Sequence, residues 1–460
     1  MANTEKQISF DKLLKITSNG NATIHFVGIG GVSMYSLARL ALIMKTRVTG
    51  SDREESEHTR ELALLGAVIS IGHKASNVNG AALIVYTHAV SSSNPELLAA
   101  KNLGIPTVSR AEYMGALMIS YKNRIGVSGS HGKSTTVAML DSIFTAAGAL
   151  PTVLSGADLP IGEPLKVGSR NLMVYEACEY KDSFLKFSPT IAIALNLELD
   201  HTDYFDSIDS MKESFVRALG KAAKCAVVNA DDEHLSQVIK KLKNKVITYG
   251  QAERADYRYR ITAFTDTGFK FTLERFGSVM GRFELNIPGA YNVGNAAAAI
   301  VAAIEYGIDI KIIAEAISGY RGIARRLEPV GNRFGRTVYY DYAHHPTEIR
   351  ASINAVKMLT HDLVTVVFKP HTYSRTKSLW EDFCRALSLA DYVIMTDIYP
   401  AREEPIDGIS SLRMVYEIGE QAMFSPDAEV PLYVDAKTHG VIIIMGAGAL
   451  EEIKNDILHK

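Results

Sequence analysis

Tryptophan occurs once in this chain of 460 residues, and cysteine three times. Cys178, Cys225 and Cys384 are scattered, odd in number and free of any CxxC spacing. They define neither a disulfide framework nor a zinc site, and they suit a reducing compartment. An excess of one charge is also lacking: 49 Lys and Arg stand against 51 Asp and Glu, a net charge of −2. That balance points neither to nucleic acid nor to an anionic membrane surface. No stretch of about 18 apolar residues is present, so no spanning helix and no membrane insertion are expected. No apolar run follows Met1-Ala-Asn-Thr-Glu-Lys6, so no signal peptide is expected either. Together these absences predict a cytoplasmic protein. The hydrophobic content of 47% is that of an ordinary globular chain, and the length predicts roughly two to four domains.

What is present is alternation. Short apolar strands at Thr23–Val27, Arg47–Thr49, Ala67–Ile71 and Leu83–Tyr86 are separated by helical stretches. One of these, Val32–Met44, carries Leu37, Leu40, Ala41 and Met44 at the spacing of a single helical face. The rhythm restarts at Arg124, with strands at Ile125–Ser128, Leu172–Glu176, Thr190–Leu195 and Cys225–Val228. Between about 245 and 290 it changes: Tyr257–Ile261 and Phe269–Leu273 alternate with period two and read as antiparallel. An alanine-rich helix, Asn295–Ala303, and a polar linker, Arg321–Arg326, follow. A third series has strands at Thr337–Tyr340, Leu363–Phe368, Tyr392–Met395 and Val441–Met445. The expected fold class is α/β with three domains: Rossmann-like over 1–120; a P-loop-type mononucleotide-binding domain over 121–322, its parallel sheet joined by a small antiparallel one; and Rossmann-like over 323–460.

Two strand-to-helix turns are rich in glycine. Gly129-Ser-His131-Gly132-Lys133-Ser134-Thr135-Thr136 follows the strand at 125–128. A strict GxxxxGK motif needs glycine where Val127 stands, so that pattern fails. The chemistry still holds, because glycines let backbone N–H groups turn toward phosphate oxygens and the helix that follows presents its positive end. Lys133 adds a point charge, and Ser134 or Thr135 a hydroxyl for Mg²⁺. The other turn, Gly28-Ile29-Gly30-Gly31-Val-Ser33, matches a dinucleotide fingerprint except at Ser33, with Asp52 after the second strand where an acid binds a ribose hydroxyl. A nicotinamide dinucleotide, another nucleotide pyrophosphate and a bare structural turn all fit it.

Chemistry-bearing residues gather at strand exits, where α/β folds place their sites. Glu176, with Glu179 close by, ends one strand beside the lysine loop and is placed to hold Mg²⁺. Asn196-Leu-Glu-Leu-Asp200-His201-Thr-Asp203 ends another, and His201 is a metal or phosphate candidate. In the third series Asp341-Tyr342-Ala-His344-His345-Pro-Thr-Glu348, Lys369-Pro-His371-Thr-Tyr-Ser-Arg375 and Asp397-Ile-Tyr399-Pro-Ala-Arg402 exit three successive strands and are expected on one rim.

This set of motifs resembles the Mur ligase family over essentially the whole chain. His25–Gly31, Gly129–Thr136, Glu176–Phe184, Asn196–Asp203, Pro288–Asn295, Arg325-Arg326, Asp341–Glu348 and Pro370–Arg375 carry the likeness, and the Ile-Gly-Gly turn with His344-His345-Pro-Thr-Glu348 points to the alanine-adding branch. The resemblance implies an ATP-dependent ligase acting through an acyl phosphate, with UDP-N-acetylmuramate, L-alanine and ATP as partners and Mg²⁺ as cofactor. It implies that Gly28, Ile29, Gly30, Gly31 and Asp52 hold the UDP-sugar. Gly129, Ser130, His131, Gly132, Lys133, Ser134 and Thr135 hold the ATP phosphates, with Asn292, Asn295 and Arg326 also on ATP. Ser134, Glu176 and His201 serve the metal. Tyr342, His344 and Arg375 meet the amino acid, and Lys133, Glu176, His201, His344 and Arg375 form the catalytic set. A ligase that attaches a preformed peptide to the same UDP-sugar is the related alternative, and an NAD-dependent oxidoreductase built on the first turn is a different class. Ser130 and Ser134 stand where the family more often has threonine, Ala343 where it has glycine, Thr372 where it has arginine, and Ala449 where it has aspartate. No lysine, Lys212 included, can be matched to the carbamylated lysine of some related ligases.

Overall fold

Repetition of a short apolar strand and a helix builds three sheets in the computed structural model, which describes residues 8–87, 89–199, 204–401 and 403–459. The first sheet holds β1 (Thr23–Val27), β2 (Arg47–Asp52), β3 (Val68–Ile71), β4 (Leu83–Tyr86) and β5 (Thr107–Ser109). All are parallel, in the order β3-β2-β1-β4-β5. After β3 the chain crosses to the far side of β1, so the carboxyl end of β1 opens a crevice, and the first glycine turn stands there. Ile24, Phe26 and Val27 are wholly buried, as expected of a parallel strand covered on both faces. The helix Val32–Ile43 buries Tyr35, Leu37, Ala38, Leu40 and Ala41.

The second sheet contains β6 (Asn123–Ser128), β7 (Thr152–Leu154), β8 (Leu165–Lys166), β9 (Leu172–Glu176), β10 (Ile191–Ala194), β11 (Cys225–Asn229), β12 (Val246–Gly250), β13 (Tyr257–Phe264), β14 (Phe269–Arg275) and β15 (Ser278–Leu285). Their order is β15-β14-β13-β12-β11-β10-β6-β9-β7-β8. The strands from β13 through β9 to β7 pair in parallel, and β8 turns back antiparallel on β7. The short β7 and β8 were not anticipated from the sequence. Phe276 (φ 48°) and Gly277 (φ 78°) join β14 to β15. Two left-handed residues in a two-residue loop match the twist of a hairpin.

The third sheet holds β16 (Glu328–Arg333), β17 (Arg336–Asp341), β18 (Val364–Phe368), β19 (Tyr392–Met395), β20 (Ala422–Phe424) and β21 (Val441–Met445). Its order is β16-β17-β21-β18-β19-β20, antiparallel only at the β16 edge. The last strand thus inserts between β17 and β18. This sheet and the first fit the Rossmann-like expectation, and the middle one fits a parallel sheet extended by hairpins.

Two compact units emerge from this chain. One covers residues 1–259, 274–278 and 297–316; the other covers 260–273, 279–296 and 317–460. Boundaries at 120 and 322 remain a proposal resting on the three sheets. Within the first unit the helix Arg110–Leu117 lies directly on the turn Tyr180–Lys186. A Cβ on Gly115 would stand 2.3 Å from the Lys186 carbonyl oxygen, and Lys186 Nζ lies 3.1 Å from Glu112 Oε1.

Candidate active site

The loop after β6 is fixed by its neighbour in the sheet. Gly129 (φ 139°) and Gly132 (φ 83°) take positive φ, and Gly132 caps the helix Lys133–Ala146. A side chain at Gly129 would press on Leu195 Cβ at 3.1 Å and Asn196 N at 3.2 Å. The segment after β10 clasps the loop: Asn196 Oδ1 accepts from the His131 N–H at 2.8 Å, and its amide donates to the His131 carbonyl at 3.1 Å. Ser130 Oγ donates to the Glu198 carbonyl at 3.0 Å and accepts from the Glu198 N–H at 2.9 Å. His131 Nε2 lies 3.3 Å from Glu198 Oε2. Ser134 and Thr135 are buried in the first turn of the helix.

Lys133 is the first residue of that helix. Its ammonium donates to the carbonyls of Gly129 and Ser130, the latter at 3.3 Å, and lies 3.3 Å from both oxygens of Glu179. Burial alone would lower its pKa. Glu179, through its charge and its hydrogen bond, acts with Cys178 and Glu176 to outweigh burial and push it up to about 12, so the lysine is charged. Glu176, three residues before Glu179, is held by other groups: its Oε1 accepts from the Gly156 N–H at 2.6 Å and from Ser155 Oγ at 3.1 Å. Burial lowers the pKa of the nearby Arg110 guanidinium, and Cys178 and Glu176 counteract this. Burial also raises the Cys178 thiol, which makes it a poor nucleophile. Lys212 Nζ is bound by Asp209 Oδ1 and Gln237 Oε1, each at 2.8 Å. His201, with Asp200, Thr202 and Asp203, lies outside the described residues, as does Arg402.

The first glycine turn is braced in a way the sequence did not disclose. The Gly28 and Ile29 N–H groups donate to the Ser51 carbonyl at 2.8 and 3.0 Å, and the Gly30 N–H donates to Asp52 Oδ2 at 2.7 Å. A Cβ on Gly30 would meet that carboxylate oxygen at 2.9 Å. Gly31 caps the helix Val32–Ile43 without a side-chain bond, which leaves a helix N-terminus facing the crevice.

In the second unit, the ends of β17, β18 and β19 do share one rim. Tyr342 is flanked by the guanidinium carbons of Arg325 and Arg326, 4.9 and 5.3 Å from its ring centroid. His344 Nδ1 lies 2.9 Å from the Tyr342 carbonyl and 3.3 Å from Glu348 Oε2. Burial lowers its pKa despite Glu348. Arg375 Nη1 is 3.3 Å from His371 Nδ1, and His371 stacks on Tyr399 with ring centroids 5.6 Å apart. Burial, Arg375 and His344 together push His371 down to about 4, so it is neutral at pH 7. Thr372 (φ 67°) caps the short helix that carries Arg375. Asn292 donates to the Pro288 carbonyl at 2.7 Å and Asn295 to Asn292 Oδ1 at 3.0 Å. Both sit on a helix, Tyr291–Tyr306, that begins four residues before its expected start.

Three family models match along this chain: the Mur ligase family catalytic domain over residues 23–122, the Mur ligase middle domain over 127–303, and the Mur ligase glutamate ligase domain over 325–448. The chain belongs to the Mur ligase family. A UDP-N-acetylmuramate–L-alanine ligase of Caldicellulosiruptor bescii is 41% identical over 448 residues, covering 95% of this chain and 98% of its own. The enzyme of the same name from Agathobacter rectalis is 39% identical, covering 97% and 100%. The crystal structure of a UDP-N-acetylmuramate–alanine ligase from Thermotoga maritima superimposes with a TM-score of 0.80 at 27% identity, covering 95% of this chain and 98% of that one. A murein peptide ligase from Psychrobacter arcticus shares the fold, with a TM-score of 0.70 at 22% identity. As a Mur ligase the chain is an enzyme, and the oxidoreductase suggested by the first turn alone gives way. Motif reading gave no role to two residues of this ligase, Glu179 and His371. Both lay inside quoted motifs, but only the fold shows what they face.

Proposed function

We propose that this Mur ligase joins L-alanine to the carboxylate of UDP-N-acetylmuramate at the expense of ATP, releasing ADP and phosphate in peptidoglycan precursor synthesis. The observation that carries the ATP half is Lys133: a charged ammonium at the start of a helix, inside a glycine loop clasped by Asn196 and Ser130. The alanine half is supported by the names of relatives 37–41% identical over nearly the whole chain.

A carboxylate is a poor acyl donor. Its oxygen attacks the γ-phosphorus of ATP, ADP leaves, and the acyl phosphate so formed has a good leaving group. The alanine amine then attacks the carbonyl carbon, and the tetrahedral intermediate expels phosphate. Lys133 and the N-terminus of its helix oppose charge on the transferring phosphoryl group. Gly28–Gly31 and the helix after them receive the UDP-sugar diphosphate, with Asp52 bracing the turn. Asn292, Asn295 and Arg326 serve the nucleotide. Tyr342, His344 and Arg375 serve the amino acid, and the guanidinium fork of Arg375 suits a carboxylate. Hard oxygen donors, Ser134 Oγ and the Glu176 carboxylate, suit Mg²⁺ at the loop, with His201 the third group assigned to it. The ion would supply charge neutralisation of the phosphates. No described helix is long and apolar enough to cross a membrane, and a cytoplasmic location follows from the substrates proposed.

Purified protein with ATP, Mg²⁺ and UDP-N-acetylmuramate should release phosphate when L-alanine is added. Release with a tripeptide and not with alanine would favour the peptide-adding alternative. No release with either would overturn the reading.

A further inference from the structure

Glu179 has no part in the reaction as set out above, yet it is the group that faces Lys133. It is fully buried, and both of its oxygens lie 3.3 Å from the ammonium. Its place is over-determined. The next residues but one, Lys181 (φ 51°) and Asp182 (φ 55°), are two consecutive non-glycine residues in the left-handed region. Such a conformation persists only where surrounding bonds enforce it. Here the Asp182 N–H donates to the Glu179 carbonyl at 2.9 Å. The Asp182 carboxylate accepts from Ser214 Oγ and pairs with Arg217 at 3.1 Å. A strained turn anchored on a neighbouring helix therefore fixes a buried carboxylate against the one lysine of the phosphate loop.

An ammonium as little exposed as that of Lys133, whose side chain is 15% accessible, needs a counter-charge. When phosphate is bound, the phosphate supplies it. When none is bound, something else must. We infer that Glu179 is a positioning residue that acts as a resident anion: it holds the Lys133 ammonium in the phosphate-free loop and yields it to the incoming nucleotide phosphates. This rests on reading Gly129–Thr135 as the ATP loop. The glutamate keeps the loop charged and ordered between turnovers, and it competes with the nucleotide for Lys133. A purely structural ion pair would affect stability but not nucleotide affinity.

The test measures ADP binding by calorimetry, together with thermal melting, in the full-length enzyme without UDP-sugar. Glu179→Gln keeps the shape and removes the charge. The variant should melt lower when ligand-free, bind ADP about tenfold more tightly and show a larger ADP-induced rise in melting temperature than wild type. In a Lys133→Ala background the same change should alter ADP affinity by no more than about twofold. ADP affinity in Glu179→Gln equal to or weaker than wild type overturns the inference, as does an undiminished gain without Lys133. The ATP-loop reading fails separately, if Lys133→Ala alone binds ADP as wild type does. Should Glu179→Gln not fold, Glu179→Asp withdraws the carboxylate by one methylene; a smaller gain in affinity supports the inference, and no gain refutes it.

Discussion

Replacing Gly115 by alanine sets two effects against each other, and the structure decides between them. Gly115 is buried in the helix Arg110–Leu117. On propensity alone, alanine stabilises a helix by about 1 kcal/mol relative to glycine. At this position the new Cβ would stand 2.3 Å from the Lys186 carbonyl oxygen and 3.2 Å from its carbon, where ordinary contact begins near 3.4 Å. The helix and the turn Tyr180–Lys186 must separate by about 1 Å, and the obstacle is backbone, which cannot rotate away. Lys186 bound to Glu112 at 3.1 Å and the Ser188 N–H on Met118 Sδ at 3.4 Å resist the separation. Overpacking of this kind costs about 1–3 kcal/mol, so after the propensity gain the expected net effect is a loss of up to about 2 kcal/mol. Gly319, the last residue of the helix Ile310–Gly319, is the control, because a Cβ there meets nothing within 4 Å. Gly319→Ala should be neutral or slightly stabilising. Urea unfolding and scanning fluorimetry should lower the first midpoint in Gly115→Ala only. A midpoint at or above wild type for Gly115→Ala, or an equal loss for Gly319→Ala, would refute the steric account.

Lys133→Ala should cut the rate by about 10²-fold or more while calorimetry finds UDP-sugar binding nearly intact; loss of both would mean that the two glycine loops do not serve separate ligands. Asn196→Ala removes both bonds that clasp His131 and should raise KM for ATP about tenfold through a loosened loop, and an unchanged KM would show that the clasp is redundant. Asp341 is pushed up to about 6 by burial, which outweighs the Ser352 and Arg326 contacts. Its folded pKa exceeds the ordinary 3.8, so its contribution to stability is greatest below 3.8 and declines as pH rises to about 6, by about 3 kcal/mol at most. Asp341→Asn should remove that slope when urea midpoints at pH 4.5 and pH 7.5 are compared; an unchanged slope would place the titration elsewhere.

Much of the fold was legible because its signals are local. The strands Thr23–Val27, Leu83–Tyr86, Leu172–Glu176, Tyr392–Met395 and Val441–Met445 were placed to the residue, since dense apolar runs ending in turn residues leave little choice of boundary. Thr152–Leu154 and Leu165–Lys166 are too short to show a period. The helix at Tyr291 was entered late because Gly294 interrupts its first turn. The glycine loops and strand-end clusters were visible for the same local reason. Partnerships were not: nothing in the run Glu176-Ala-Cys-Glu179 says that the second glutamate faces Lys133 while the first turns to Gly156, because that depends on a strained turn and a helix thirty residues away.

The bracing of the first glycine turn has a consequence for how that turn handles an anion. All four of its amides are already engaged, two by the Ser51 carbonyl, one by Asp52 and one, more loosely at 3.4 Å, by the Gly28 carbonyl. Those amides serve as a mount, and the aimed part is the free end of the helix Val32–Ile43. On this reading, which two substitutions test, Asp52 works like a bolt and not as a ligand. Asp52→Asn, which keeps an acceptor for the Gly30 amide, should bind UDP-sugar almost as wild type does. Asp52→Ala lets the helix tilt and should weaken binding by an amount little affected by salt, because no charge contacting the ligand has been lost. A carboxylate that instead gripped the ribose would be hurt by both changes alike.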